Sequence, residues 1–171
     1  YHCSRNNLIS LFEGPAEVGD FDCSFNPLNN LSYAPKEVKG NFDCSNNLID
    51  SIKGMPRTIK GFFKCSSNKI ATLKGGPKYV EASFDCSENL IERLIGGPVS
   101  VGQDYFCSKN NLTDLDGVAD EIGWDLVTDI RLNHLTSTFN EEEKTWRYKG
   151  SEVISHIYKP IVALTNVDDI S

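Results

Sequence analysis

Apolar residues recur along most of the chain in one pattern, which restarts at Cys3, Cys23, Cys44, Cys65, Cys86 and Cys107. The intervals are 20 residues once and 21 four times, a regularity that marks a stack of like structural units. Counted from each cysteine, an aliphatic residue stands fifth (Leu8, Leu28, Ile49, Ile70, Ile91, Leu112) and another eighth (Leu11, Leu31, Ile52, Leu73, Leu94, Leu115). A β-branched residue stands fifteenth (Val18, Val38, Ile59, Val80, Val101, Ile122), and an aromatic stands two places before the next cysteine (Phe21, Phe42, Phe63, Phe84, Tyr105). The polar frame is equally regular: Ser follows each cysteine, Asn comes third, and Pro twelfth at Pro15, Pro35, Pro56, Pro77 and Pro98.

Aromatic-x-Cys alternates with period two, so it predicts a short strand whose ring and thiol point inward. The Asn that ends it carries an amide able to satisfy backbone groups the turn leaves unpaired. Gly and Pro then bring the chain around and back. No such coil buries its apolar face alone; stacked, the coils form a parallel sheet with one strand each.

The segment Phe42-Asp43-Cys44-Ser45-Asn46-Asn47-Leu48-Ile49-Asp50-Ser51-Ile52 resembles a leucine-rich repeat of the short bacterial and bacteriophage type. The resemblance covers roughly residues 1–135 as a solenoid of about seven coils, the last one degenerate. Ile122, Leu126 and Thr128 carry the frame once more in substituted form, and residues 136–171 follow another pattern. That resemblance implies a mostly β repeat solenoid that binds protein without catalysis. It further implies a phage or bacterial effector that inhibits or redirects a host protein such as a defence component, with a structural adaptor in a phage particle or surface assembly as the alternative. Some similar proteins carry a ubiquitin-ligase domain with a catalytic cysteine, but residues 136–171 contain no cysteine.

In the C-terminal segment, Thr138 or Asn140 is placed to cap a short helix through Glu141–Lys144, with acids in its first turn. Trp146, Tyr148, Val153, Ile154, Ile157 and Tyr158 follow, and the segment reads as an α/β cap over the open end of the core, or as a docking segment. The chain opens inside a repeat, on Tyr1 rather than Met, so a stretch upstream is expected.

Charge refines the picture. The net charge of −7 argues against a protein that coats nucleic acid, and no apolar run reaches the length of a membrane span. Parallel thiols one rung apart stand about 4.8 Å from each other, too far and too parallel for disulfides, which want Cβ atoms about 3.8 Å apart. No Cys-x-x-Cys pair proposes a metal, so the cysteines read as core thiols of a reduced, cytoplasmic protein without cofactors.

Outward positions flank the inward ring and thiol. They form one column of Asp20, Asn41, Phe62, Ser83, Asp104 and Asp125, and another of Asp22, Asp43, Lys64, Asp85, Phe106 and Val127, with Ser24, Ser45, Ser66, Ser87 and Ser108 beside them. This acidic face with two aromatics is the candidate partner-binding site, comprising Asp20, Asp22, Asp43, Phe62, Lys64, Asp85, Asp104, Phe106 and Asp125, and it suits a protein with a basic surface. Segments 33–39, 53–60 and 74–81 carry the opposite sign: Lys36, Lys39, Lys53, Arg57, Lys60, Lys74 and Lys78 against Glu37 and Glu81. None of His2, His134 and His156 stands where the repeat would pair it with a nucleophile, and no catalytic or metal-binding set emerges.

Overall fold

The computed structural model describes residues 1–128 in full, together with the backbone of residues 137–140, 145–148 and 151–155. Each coil carries two short strands. The chain runs through β1 (Glu17–Val18), β2 (Phe21–Asp22), β3 (Glu37–Val38), β4 (Phe42–Asp43), β5 (Thr58–Ile59) and β6 (Phe63–Lys64). It continues through β7 (Tyr79–Val80), β8 (Phe84–Asp85), β9 (Ser100–Val101), β10 (Tyr105–Phe106), β11 (Glu121–Ile122) and β12 (Leu126–Val127).

The even-numbered strands form one parallel sheet in coil order, β2-β4-β6-β8-β10-β12, and a bridge from His2 to Asp22 adds a rung ahead of β2. The main sheet thus has one strand per coil, as the periodicity requires. Residues 21–125 make five complete coils, preceded by a partial turn before Phe21; the remainder of the expected last coil lies outside the described residues.

Register places like on like. Phe21, Phe42, Phe63, Phe84 and Tyr105 stack as a buried column with ring centroids 5.1, 5.2, 5.8 and 5.0 Å apart. Apolar rings at about one sheet spacing contribute contact energy beyond their buried area. The six cysteines are buried beside them and form no disulfide. Desolvation by burial, reinforced by neighbouring thiols and aspartates, pushes the Cys23, Cys44 and Cys65 thiols well up, and Cys86 likewise.

The Asn position completes the sheet. Asn47 Nδ2 donates to the carbonyls of Cys23, Cys44 and Ser45, while its Oδ1 accepts the Leu28 N–H at 3.1 Å. Asn26, Asn68, Asn89 and Asn110 repeat the arrangement, each reaching the cysteine carbonyl of the preceding coil. The amide is needed because the residue before it adopts a left-handed conformation, as at Phe25 (φ 52) and Asn46 (φ 55), which takes the chain out of the ladder.

The odd-numbered strands form a second ladder around a corner of the coil, and it is broken. β1 pairs with β3, and β5-β7-β9-β11 pair in order, but β3 and β5 do not pair. The β-branched column Val38, Ile59, Val80, Val101 and Ile122 is buried behind this ladder.

At the C-terminal end, β13 (Ser137–Asn140), β14 (Thr145–Tyr148) and β15 (Ser151–Ser155) form an antiparallel sheet in that order. Thr138 and Asn140, read from sequence as helix caps, therefore lie in a strand paired with β14. Four-residue spacing between paired strands and the β-favouring run Thr145-Trp146-Arg147-Tyr148 explain that preference. Glu141–Lys144 and the boundary at 135/136 lie outside the described residues, and among the described residues no helix occurs.

Candidate interaction surface

The two outward columns of the main sheet each have a structural task, and the task separates ordinary members from exceptions. In the column flanking the cysteines, Asp22 Oδ1 accepts both the N–H and the hydroxyl of Ser24, at 3.0 and 2.7 Å. Asp43 does the same for Ser45 at 2.9 and 2.6 Å, and Asp85 for Ser87. Each Asp-Cys-Ser triplet is thus a side-chain turn that finishes the strand and compensates the Ser it draws inward. Ser24 and Ser45, which take this turn, are buried, and so is Ser66, which stands behind Lys64 without it, a correction to their expected outward exposure.

Partial burial works against ionisation of Asp22, but the Ser24 hydroxyl and amide, with help from Ser4 and His2, outweigh it and hold the carboxyl below its usual range. His2 Nδ1 lies 3.8 Å from Asp22.

The column ahead of the rings is a relay from coil to coil. Asp20 Oδ1 accepts the Asn41 N–H at 2.7 Å and Asn41 Oδ1 accepts the Phe62 N–H at 3.0 Å. Ser83 Oγ accepts the Asp104 N–H at 3.4 Å and Asp104 Oδ1 accepts the Asp125 N–H at 3.2 Å. Phe62 has no acceptor, so the relay skips the Ser83 N–H.

Three members of the candidate set therefore depart from what the coil uses. Phe62 interrupts the relay, while Lys64 and Phe106 stand where an aspartate would turn onto Ser66 and Ser108. Phe62 and Lys64 flank the inward Phe63 on one outward face, two residues apart, and Phe106 lies two rungs from Lys64 in register through Asp85. Lys64 is exposed between Asp43 and Asp85 and is in no ion pair among the described residues. Phe62 and Phe106, expected to be exposed, are half-buried.

Asp20 and Asp125 are exposed and Asp104 is half-buried. Asp22, Asp43 and Asp85 each commit Oδ1 to a serine, and Asp22 Oδ2 also faces His2. The relay and the Asp-Cys-Ser turn escaped the reading of the sequence as an acidic face, although the recurring triplet at 22–24, 43–45 and 85–87 was the signal for the turn. Among the described residues no group of three or more His, Cys, Asp or Glu is arranged to hold a metal ion.

Comparisons with protein-family models, with curated proteins and with solved structures find no match to this chain.

Proposed function

We propose that the protein is a non-catalytic binding module whose main-sheet face, centred on Phe62, Lys64, Asp85 and Phe106, docks another protein. The observation that carries this is the placement of Phe62, Lys64 and Phe106 at positions where the stacking coils use a side-chain acceptor. None of the three side chains supplies the acceptor used there in other coils, and two are large and apolar on a mostly polar surface. A sheet fixed by stacked rings and amides is pre-organised, so binding orders little of it.

The complementary surface presents basic groups to Asp22, Asp43 and Asp85, an acceptor to Lys64 and an apolar contact to Phe62. The resemblance to short bacterial and phage repeats makes an intracellular effector that occupies and inhibits a host protein the favoured role. Buried, protonated thiols and an exposed His2 without a neighbouring nucleophile support binding rather than catalysis. His134 and His156 lie outside the described residues.

The test is affinity capture from bacterial lysate, identification of the captured protein, and titration of the purified pair. Phe62→Ser with Phe106→Ser should weaken that pair by about tenfold or more while the melting temperature stays within a few degrees. Unchanged affinity would overturn the assignment, and ordered self-assembly in light scattering with no captured protein would favour the structural adaptor.

A further inference from the structure

The break in the second ladder is local and has a visible cause. At the other interfaces the pattern recurs, short of one bond at Asp120: Lys36 and Glu37 N–H reach the Ala16 carbonyl, and Lys39 N–H reaches Val18. One coil beyond the break, Lys78 and Tyr79 N–H reach Arg57, and Glu81 N–H reaches Ile59. Between the second and third coils the corresponding bonds are missing, so the N–H groups of Arg57, Thr58 and Lys60 and the carbonyls of Lys36 and Val38 lack their repeat partners.

Met55 stands at this interface, in the position occupied elsewhere by Gly14, Ala34, Gly76, Gly97 and Val118. Space there is short: a methyl group added at Gly76 would come within 2.5 Å of Ile52 Cδ1, and one at Gly97 within 2.9 Å of Leu73 Cδ1, in each case in the preceding coil. By the same repeat geometry Met55 is directed at Leu31, and it is buried. The turn bond that every other coil makes at this position, such as Ala34 N–H to Leu31 or Gly76 N–H to Leu73, is absent at Met55. The smaller Val118 leaves β9 and β11 paired with only the Asp120 N–H bond missing, so the length of the methionine accounts for the full opening.

The opening is a cleft of about 450 Å³ whose lining includes Lys36, Lys39, Arg57 and Lys60 against a single acid, Glu37. Lys39 is engaged by Glu17, and the Arg57 guanidinium sits 5.5 Å over the Tyr79 ring. Lys36 and Lys60 are exposed and in no ion pair among the described residues, and Thr58 adds a hydroxyl.

We infer that this cleft is an oxyanion-binding site, taking a phosphate or carboxylate group between the second and third coils, created by Met55 as a wedge. Freed backbone N–H groups provide directed donors, Lys36 and Lys60 provide charge, and the paired Lys39 and stacked Arg57 hold the walls. The bonds that still join the coils just beyond it, Gly61 N–H to Gly40 at 3.0 Å, keep the cleft too narrow for an inserted strand, which favours a compact anionic group. The site lies off the main-sheet face and does not depend on its role.

Calorimetric titration with inorganic pyrophosphate and, separately, with a short oligoglutamate peptide tests it on the full chain. One-to-one binding of either probe that weakens as salt rises is the expected result, the tighter probe identifying a phosphate or an acidic protein segment as the source of the anion. Lys36→Gln with Lys60→Gln should lose affinity tenfold or more. Met55→Gly, which installs the residue the repeat itself uses, should lose it as strongly by closing the ladder, with melting curves confirming that both variants are folded. Absence of binding at millimolar probe, or affinity unchanged in either variant, overturns the proposal.

Discussion

Asn47 donates its side-chain amide to the carbonyl of Cys23, one coil earlier, at 3.1 Å. The same side chain bonds its own strand and accepts the Leu28 N–H, so one buried amide joins two coils where the backbone has left the ladder. Asn47→Ala would strand several buried polar groups at once. Since each costs on the order of 1–3 kcal/mol, the loss should be about 3 kcal/mol or more in urea unfolding. Asn110→Ala, at a half-buried rung, should cost less; equal costs would remove the role of burial.

Tyr105 ends the column of phenylalanine rings, and its hydroxyl is buried without a hydrogen-bond partner. Desolvation by burial pushes its phenol well up, so this group stays neutral while the fold lasts. Tyr105→Phe removes an uncompensated polar atom and matches the other coils. A gain of about 1 kcal/mol is expected, read as a raised melting temperature, and a loss would show that the hydroxyl is satisfied in solution.

The thiol column makes stability fall in alkali. The Cys44, Cys65 and Cys86 thiols are held protonated in the fold by burial, well above the ordinary range near 9, and Cys23 behaves likewise. In the unfolded chain they ionise at about pH 8.5, so above that pH the unfolded state binds fewer protons and is favoured. Their contribution is complete below about pH 8.5 and declines above it, by about 1.4 kcal/mol per pH unit for each such thiol. Melting temperature measured under reductant should be level to pH 8.5 and drop steeply by pH 10; a flat profile would exclude the buried ladder. Thiol reagent should find these groups silent in the native protein and reactive in denaturant.

Much of the fold was legible because the period of 21 residues and the in-register sheet are the same fact: repetition puts Phe42 on Phe63 and Cys44 on Cys65. The face was legible for the same reason, since alternation alone sends Phe62 and Lys64 outward once Phe63 is inward. What escaped was chemistry between side chain and backbone. Asp22, Asp43 and Asp85 read as surface charge, yet each closes a turn onto Ser24, Ser45 or Ser87, and periodicity carries no information about which atoms bond. The second ladder's break was hidden as well, because Met55 is an ordinary apolar residue by hydropathy and an intruder only by volume, in a slot otherwise filled by smaller residues. The C-terminal strands were missed because Thr138 and Asn140 are also good helix caps by residue type, while the hairpin that pairs Phe139 with Trp146 was signalled only by the β-favouring run at 145–148.

A surface residue retained against the needs of its own sheet should be replaceable without harm to folding, and that separates the two columns experimentally. In Phe62→Asn the new amide oxygen would sit where Asn41 already accepts the next coil's N–H, and it would serve the Ser83 N–H that the relay skips. The bond gained, about 1 kcal/mol, offsets the apolar packing that a half-buried ring gives up, so the melting temperature should remain within a few degrees. Lys64→Asn likewise restores an acceptor for Ser66 without adding a negative charge beside Asp43 and Asp85, and should raise stability slightly. Asp43→Ala, in contrast, removes a working turn and should cost about 1 kcal/mol. If partner binding falls about tenfold in the first two variants while only the third destabilises, Phe62 and Lys64 are kept for recognition and Asp43 for the fold. The reverse pattern, a destabilised Phe62→Asn that still binds, would return the aromatic to the sheet and move the docking surface elsewhere.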